Sequence, residues 1–140
     1  MMKTSHEVRN WLHYLILAAQ AVDYQGVANC FARQHPLSIR GPRPGDEWSS
    51  WESWSTFLAT ALSVRRIGDL YLRMTQQPEI TIDPSESEVC LRWQMTYRLG
   101  SRANAQIGLD CEATLVMEEQ RWLARSLSCL PLLAPPESSD

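Results

Sequence analysis

A histidine next to a proline has the chemistry that is easiest to use near neutral pH. His35 precedes Pro36, and an unperturbed imidazole, with a pKa of about 6.5, can both take up and release a proton. His35 is therefore a candidate general acid or base. The competing interpretation is a capping or surface role, as we expect for His6 and His13 on the first helix.

Tryptophan is the unusual feature of the composition, with six in 140 residues. Trp48, Trp51 and Trp54 recur at every third position. Flat aromatic walls with a few polar groups suit a planar, largely apolar molecule. Trp51, Trp54, Trp93 and Tyr97 are therefore candidate ligand-binding residues. The alternative is that these rings close one end of the fold as core.

The sequence does not support metal, phosphate or covalent chemistry. Cys30, Cys90, Cys111 and Cys129 include no CxxC pair and no closely spaced histidine, so neither a zinc site nor a cofactor is predicted. We expect these cysteines to be reduced and mostly buried. The stretch GPRPG lacks the GxxxxGK[ST] pattern of a phosphate loop, and no serine or cysteine has a recognisable nucleophile context.

Helical periodicity organises the start of the chain. Apolar residues recur at spacings of three and four from Val8 to Val22, which predicts a helix of about five turns. Asp23 can cap a second, shorter helix. Pro36 ends helical structure before a short strand at PLSIRG, because proline disfavours the helical region for the residue before it.

A third helix is predicted after a turn-rich loop. The loop GPRPGDE holds two prolines and two glycines, which are typical of turns. Ser49 and Glu52 then have capping-box spacing. The helix that follows should end near Ser63.

Beyond Val64, apolar and polar residues alternate, which is typical of half-buried strands. Two long strands are predicted at 88–99 and 106–117, joined by the turn SRANA, with further strands at 67–74, 79–82 and 121–130. Helices followed by an antiparallel meander predict an α+β protein, with N-terminal helices packed on a strongly curved antiparallel sheet.

In this order of elements, the chain resembles the nuclear transport factor 2-like superfamily, in particular its SnoaL-like and steroid-isomerase-like branches. AAQAVDYQGVANCFARQHPLSIRG is similar to the family's alanine-rich helix, acidic cap, short helix ending in Phe-Ala and first strand. EEQRWLARSLSCL is similar to its last hairpin. The resemblance covers about residues 5–130. It implies a cone-shaped α+β roll with a cystatin-like fold, an open end that can hold a small apolar molecule, and often a homodimer formed through the sheet.

The steroid-isomerase branch also suggests catalytic residues. There, a carboxylate base removes a proton while a tyrosine and a protonated aspartate stabilise the enolate. The resemblance places Tyr14 within one residue of the tyrosine position and Asp110 in the corresponding hairpin strand. The base is missing, because residues 39–41 are Ile-Arg-Gly where a carboxylate would be expected. Alternation also turns Asp110 away from the apolar face.

A second branch of the same fold, that of limonene-epoxide hydrolase, activates water with an Asp, Arg, Asp network. Arg92, Arg98, Asp110 and Glu112 could meet across one hairpin, since cross-strand neighbours are about 5 Å apart. The competing interpretation is a solvated or dimer-facing ladder of opposite charges.

Size and composition indicate one ordinary soluble domain. We expect a single domain over residues 1–133 and a disordered tail over 134–140. The net charge is −3, and basic residues are too interleaved with acids for a nucleic-acid surface. The longest apolar run is too short to span a membrane, and the start lacks a signal region, so we expect a cytoplasmic protein.

Three hypotheses follow for the function. The first is a homodimer that binds a small apolar molecule in an aromatic-lined cavity. The second is a SnoaL-like lyase, isomerase or cyclase in which Asp110, His35 or Tyr14 supplies an acid or base. The third is a protein-interaction module whose cavity is filled by its own side chains.

Overall fold

A layer of helices packs against a curled sheet in the computed structural model, which describes residues 2–66, 69–99 and 106–132. The helices are α1 (Met2–Gln20), α2 (Tyr24–Ala28) and α3 (Trp51–Ser63). The strands are β1 (Ser38–Arg40), β2 (Glu47–Trp48), β3 (Leu70–Met74), β4 (Glu79–Ile82), β5 (Glu88–Leu99), β6 (Ile107–Glu118) and β7 (Arg121–Pro131). This is the predicted α+β class.

The first two helices are fixed by one apolar stripe and one cap. Val8 and Leu12 of α1 are fully buried, as the helical spacing predicts. The Asp23 carboxylate accepts the Gly26 amide at 3.0 Å and caps α2. A side chain at position 26 would lie 2.5 Å from Asp23 Oδ2, so the cap requires glycine there. The indole of Trp11 donates to the Cys30 carbonyl at 3.0 Å and ties the two helices together.

The third helix begins one residue later than the capping-box spacing predicts. Ser50, not Ser49, is the N-cap, and its hydroxyl accepts the Ser53 amide at 3.1 Å. The helix ends at Ser63, as predicted.

The strand order is β2-β1-β7-β6-β5-β3, and β4 also pairs with β5. Among the described strands, all pairings but one are antiparallel. The exception is the pair β1 and β7, which run parallel with Ser38 opposite Ser126. The sheet is therefore mixed, whereas the sequence predicted a purely antiparallel one. The parallel pair arises because β1 comes from the helical half of the chain and joins the free edge of the meander.

Register assigns the side chains to two faces of the sheet. Trp93 pairs with Cys111, and Cys111 pairs with Cys129, so these three lie in one row on the inner, buried face. The register shifts by one residue opposite Thr114 and Leu115, which makes Arg125 the extra residue of a β-bulge in β7. Before the bulge, even-numbered residues of β7 face inward, and after it odd-numbered residues do.

Several predictions concern residues outside the described ranges, namely the turn SRANA, the start of the strand at Ile67 and the tail over 134–140. No helix among the described residues combines the length and the apolar character needed to cross a membrane.

Candidate functional site

An open cavity of about 380 Å³ lies between α3, the β1–β2 connection and the inner face of the sheet. Ligand sites in proteins commonly have volumes of roughly 300–1,000 Å³. Most of the lining is apolar or aromatic: Ile39, Trp48, Trp54, Phe57, Ala61, Leu70, Leu72, Tyr97, Leu109, Leu127 and Cys129. The cavity therefore has the size and the walls of a site for a small apolar molecule.

Three aromatic rings form the wall on the helix side. The ring centroids of Trp48 and Trp54 are 5.1 Å apart, and those of Trp48 and Phe57 are 4.3 Å apart. Trp54 and Phe57 stack at 5.8 Å, and Phe31 packs edge-on against Trp54 from the core at 5.3 Å. Because the rings support one another, the wall is rigid before any ligand arrives.

Trp54 also carries a hydrogen-bond donor without an acceptor. Its indole Nε1 is buried and has no partner among the described residues. A buried polar group usually has a hydrogen-bond partner, and leaving it without one costs about 1–3 kcal/mol. The indoles of Trp93 and Trp122 are also buried without a partner among the described residues, so this donor does not by itself mark a ligand site.

Charged residues stand at the mouth of the cavity. Its charged lining residues are Arg40, Arg43, Arg65 and Asp46. Asp46 Oδ2 accepts the Arg43 amide at 3.2 Å and lies 3.4 Å from Arg43 Nε. Arg40 Nε lies 3.5 Å from the exposed carboxylate of Glu47. A side chain at Gly41 would lie 2.8 Å from Asp46 Oδ2, so glycine lets this carboxylate fold back over the loop.

Two of the four predicted ligand-binding residues line the cavity. Trp54 and Tyr97 are part of its wall. Trp51 and Trp93 are not among its lining residues. Trp51 donates to the Ala28 carbonyl at 3.3 Å and lies under the Arg33 guanidinium, 4.2 Å from its ring centroid. Trp93 is core, 3% exposed.

The predicted acid or base His35 is bound to a buried carboxylate. Its Nδ1 lies 2.6 Å from Glu118 Oε2. Glu118 also accepts the amides of Arg33 and Gln34, each at 3.0 Å. Burial favours a raised pKa for Glu118, but the hydrogen bonds from His35 and the two amides outweigh it and lower the pKa. Neither His35 nor Glu118 lines the cavity. Glu118 instead holds residues 33–35 in place through these three hydrogen bonds, and we call this set of contacts the clamp.

The other two predicted catalytic residues lie elsewhere. Tyr14 is exposed on α1, where it lines an open surface groove of about 540 Å³ together with Glu7 and Arg121. Asp110 lies on the outer face of the sheet, where Arg92 Nη2 is 3.7 Å from Asp110 Oδ2 and Arg92 Nε is 3.5 Å from Glu112 Oε2. Tyr14, His35 and Asp110 are therefore not brought together.

The charges on the outer face form the predicted ladder, with one exception. Arg92, Asp110 and Glu112 are each about half exposed, which is typical of a solvated network. Arg98 lies instead over the ring of Tyr71, 4.9 Å from its centroid.

Sequence reasoning missed most of the polar groups of the cavity. Trp48 was visible as part of the tryptophan repeat, and Phe57 lies one turn after Trp54 on α3. Arg65 and Asp46 lie in loops, where no periodicity shows the direction of a side chain. No group of three or more His, Cys, Asp or Glu in the described ranges is arranged to hold a metal ion.

No family model matches the chain, and no curated protein matches it. Solved structures do. An NTF2-like protein of unknown function from Pseudomonas putida KT2440 superposes with a TM-score of 0.82 at 8% identity, over 98% of this chain and 92% of that one. A domain of unknown function with a cystatin-like fold from Nostoc punctiforme PCC 73102 gives 0.81 at 10% identity, over 99% and 83%. An uncharacterized protein with a cystatin-like fold from Caulobacter vibrioides gives 0.76 at 11% identity, over 98% and 94%.

Similarity at such low identity establishes architecture and not activity. The chain has the nuclear transport factor 2-like fold, which is also described as cystatin-like. The resemblance drawn from the sequence is confirmed at the level of the fold.

Proposed function

We propose that the protein binds a small, largely apolar molecule in the cavity between α3 and the sheet. The observation that carries this proposal is an open, aromatic-walled space of about 380 Å³ between α3 and the sheet. Flat rings favour a planar ligand.

The mouth of the cavity favours an anionic group on this ligand. Three of its four charged lining residues are arginines. Arg43 and Arg40 already contact Asp46 and Glu47, so Arg65 is the guanidinium best placed to serve a ligand. A carboxylate is the natural match, because arginine can donate to both of its oxygens.

A matched pair of probes tests both parts of the proposal. Titration calorimetry with 2-naphthoic acid should show saturable binding, and the neutral 2-naphthamide should bind several-fold more weakly. Ala61 lines the cavity, whereas Ala59 is exposed on the same helix. Ala61→Phe should therefore abolish binding, and Ala59→Phe should preserve it. Equal binding by these two variants would place the ligand outside the cavity.

The charge at the mouth has its own control. Arg65→Gln should weaken 2-naphthoic acid a few-fold, in keeping with about 0.2–1 kcal/mol for an exposed ion pair, and leave 2-naphthamide unchanged. Arg66→Gln is the matched control, because Arg66 does not line the cavity. Equal effects of the two substitutions would exclude a specific role for Arg65.

The second candidate function is a SnoaL-like lyase, isomerase or cyclase. Asp46 favours it, since a carboxylate in the wall of an apolar cavity can act as a general base. The lining of this cavity includes none of the residues that the sequence suggested as acid or base, which are Asp110, His35 and Tyr14. Asp46 is therefore the group through which we propose that any proton transfer occurs.

Deuterium uptake by a planar ketone tests the catalytic alternative without knowledge of the natural substrate. 2-Tetralone in D₂O should exchange its α-protons faster with the protein than with buffer. Asp46→Asn should abolish this acceleration, and Asp110→Asn should not. No acceleration by the unmodified protein would leave ligand binding as the function.

The interaction-module hypothesis is weakened by the open cavity. A module of that kind was expected to fill the space with its own side chains, yet the described residues leave it empty enough for a ligand. A homodimer through the outer face of the sheet remains part of our proposal.

A further inference from the structure

Two cysteines face one another across neighbouring strands. Cys111 and Cys129 are register partners on β6 and β7, so both side chains lie on the same face of the sheet. The amide of Leu132 donates to the Gly108 carbonyl at 2.9 Å, three register steps away. Hydrogen-bonded and non-hydrogen-bonded pairs alternate along an antiparallel ladder, so Cys111 and Cys129 form a non-hydrogen-bonded pair.

This kind of pair brings the thiols within reach of a covalent bond. Opposite Cα atoms in a non-hydrogen-bonded pair are about 4.5 Å apart, and disulfides span Cα separations of about 4.4–6.8 Å. A hydrogen bond with Cys129, together with burial, raises the pKa of the Cys111 thiol. The two thiols therefore face one another across β6 and β7, and Cys129 influences the ionisation of Cys111.

The two thiols differ in access. Cys111 is completely buried, whereas Cys129 is half-buried and lines the cavity. We propose that Cys111 and Cys129 are a redox site that forms a reversible disulfide, with Cys129 as the attacking cysteine and the cavity as the route of entry.

A small disulfide such as oxidised glutathione supplies the oxidant. The Cys129 thiolate attacks one glutathione sulfur, and the other leaves as a thiolate that takes up the Cys129 proton. Cys111 then loses its proton and attacks the Cys129 sulfur, which expels the second glutathione as a thiol. Two protein thiols are oxidised to one disulfide, and one glutathione disulfide is reduced to two thiols.

The geometry also makes the bond easy to reverse. Cys129 is half-buried and lines the cavity, so a reductant can reach the bond, and accessible disulfides are the labile ones. We therefore expect reduced glutathione to reopen it, in contrast to a structural disulfide.

The remaining cysteines serve as internal controls. Cys90 pairs with Thr114, and both lie on the outer face of the sheet, away from Cys111. Cys30 donates its thiol to the Gly26 carbonyl at 3.4 Å, and burial raises its pKa to about 12. Cys30 follows α2 and lies outside β6 and β7, so it has no register partner in the thiol pair.

The test is mass spectrometry of the folded protein after equilibration with oxidised glutathione and alkylation of free thiols. The unmodified protein should lose two hydrogens and keep two alkylatable cysteines, with Cys111 and Cys129 in one cross-linked peptide. Reduced glutathione should restore all four thiols. Cys90→Ser and Cys30→Ser should form the same cross-link between Cys111 and Cys129 and should also lose two hydrogens.

Substitution of each partner separates their roles. Cys111→Ser should trap one glutathione on Cys129, and Cys129→Ser, at a half-buried position, should form no internal disulfide. Circular dichroism checks that each variant folds. If Cys111→Ser does not fold, the absence of an internal disulfide in Cys129→Ser is a sufficient test by itself. Four free thiols in the oxidised unmodified protein, or an internal disulfide that includes Cys30 or Cys90, would overturn the proposal.

Discussion

Glu118 is a buried carboxylate whose two oxygens are occupied by donors from one short segment. The segment from Ala32 to Leu37 bulges out of the path along β7, because Phe31 is opposite Ala124 while Ser38 is opposite Ser126. Glu118 satisfies the amides at the turn of this bulge. The carboxylate thus determines how the chain passes from α2 into β1 and on to the mouth of the cavity.

Replacement of Glu118 by glutamine should destabilise the fold. A neutral amide loses charge-assisted bonds to two backbone donors and to His35. We expect the free energy of unfolding in urea at pH 7 to fall by about 1–3 kcal/mol. Glu119→Gln, one residue further and exposed, should change it by less than about 0.5 kcal/mol. Equal stability of the two variants would show that the clamp contributes nothing.

The stability that Glu118 provides should depend on pH in a defined direction. Its folded pKa is lowered from the ordinary value of 4.5, so the folded state holds the deprotonated form more strongly than the unfolded state does. The difference between the unmodified protein and Glu118→Gln should be complete above pH 4.5 and shrink as the pH falls below it. Urea unfolding between pH 7 and pH 3 measures this difference, and a gap that widens on acidification would contradict the assignment.

The aromatic part of the site was accessible from the sequence, and its polar part was not. Trp54 and Tyr97 stand out by composition and by strand alternation, and both line the cavity. The directions of Arg65 and Asp46 depend on loop conformation, which has no repeating pattern. Glu118 had no signal at all, because its donors are backbone amides that lie more than 80 residues away.

At the level of single elements, a hydroxyl determines the start of α3. The Ser50 hydroxyl accepts the Ser53 amide at 3.1 Å and donates to the Ser53 hydroxyl at 3.0 Å. α3 carries the cavity wall, so its first turn also positions Trp54. The preceding serine is exposed.

Adjacent serines make a sharp test of this helix start. Ser50→Ala should lower the free energy of unfolding by about 0.5–2 kcal/mol, the usual cost of losing an N-cap. Ser49→Ala should have almost no effect. Thermal unfolding of the two variants distinguishes the observed cap from the one that the capping-box spacing predicted, and the reverse order of stabilities would favour Ser49.

For the whole molecule, the order and type of the elements followed from periodicity except for β2, which the sequence assigned to a loop, and the edge pairing did not follow from it. The long strands at 88–99 and 107–118 alternate over most of their twelve residues, with a break at Leu115 and Val116 in the second, which leaves little ambiguity about their faces. β1 has only three residues, too few for a pattern to reveal a parallel partner. The position of the cavity depends on that pairing and so became clear only in three dimensions.

The proposed homodimer uses the outer face of the sheet, where Leu130 is 44% exposed opposite Asp110. Native mass spectrometry should give a dimer mass for the unmodified protein. Leu130→Lys should shift it to the monomer, because an unpaired charge would be buried in the interface. Leu17→Lys, at an exposed leucine on α1, should stay dimeric. A monomeric unmodified protein would contradict the proposal.

The extra residue at Arg125 acts as a frame shift within a single strand. Before Arg125 the inward-facing residues have even numbers, Trp122 and Ala124. After it they have odd numbers, Leu127 and Cys129. Deletion of this one residue, with the hairpin left in place, would remove the bulge, because Ser126 would then follow Ala124 in regular alternation opposite Thr114. Leu127 would still face the cavity and Cys129 would still face Cys111, so the bulge accommodates one extra residue while the pocket and the thiol pair keep their face of the sheet.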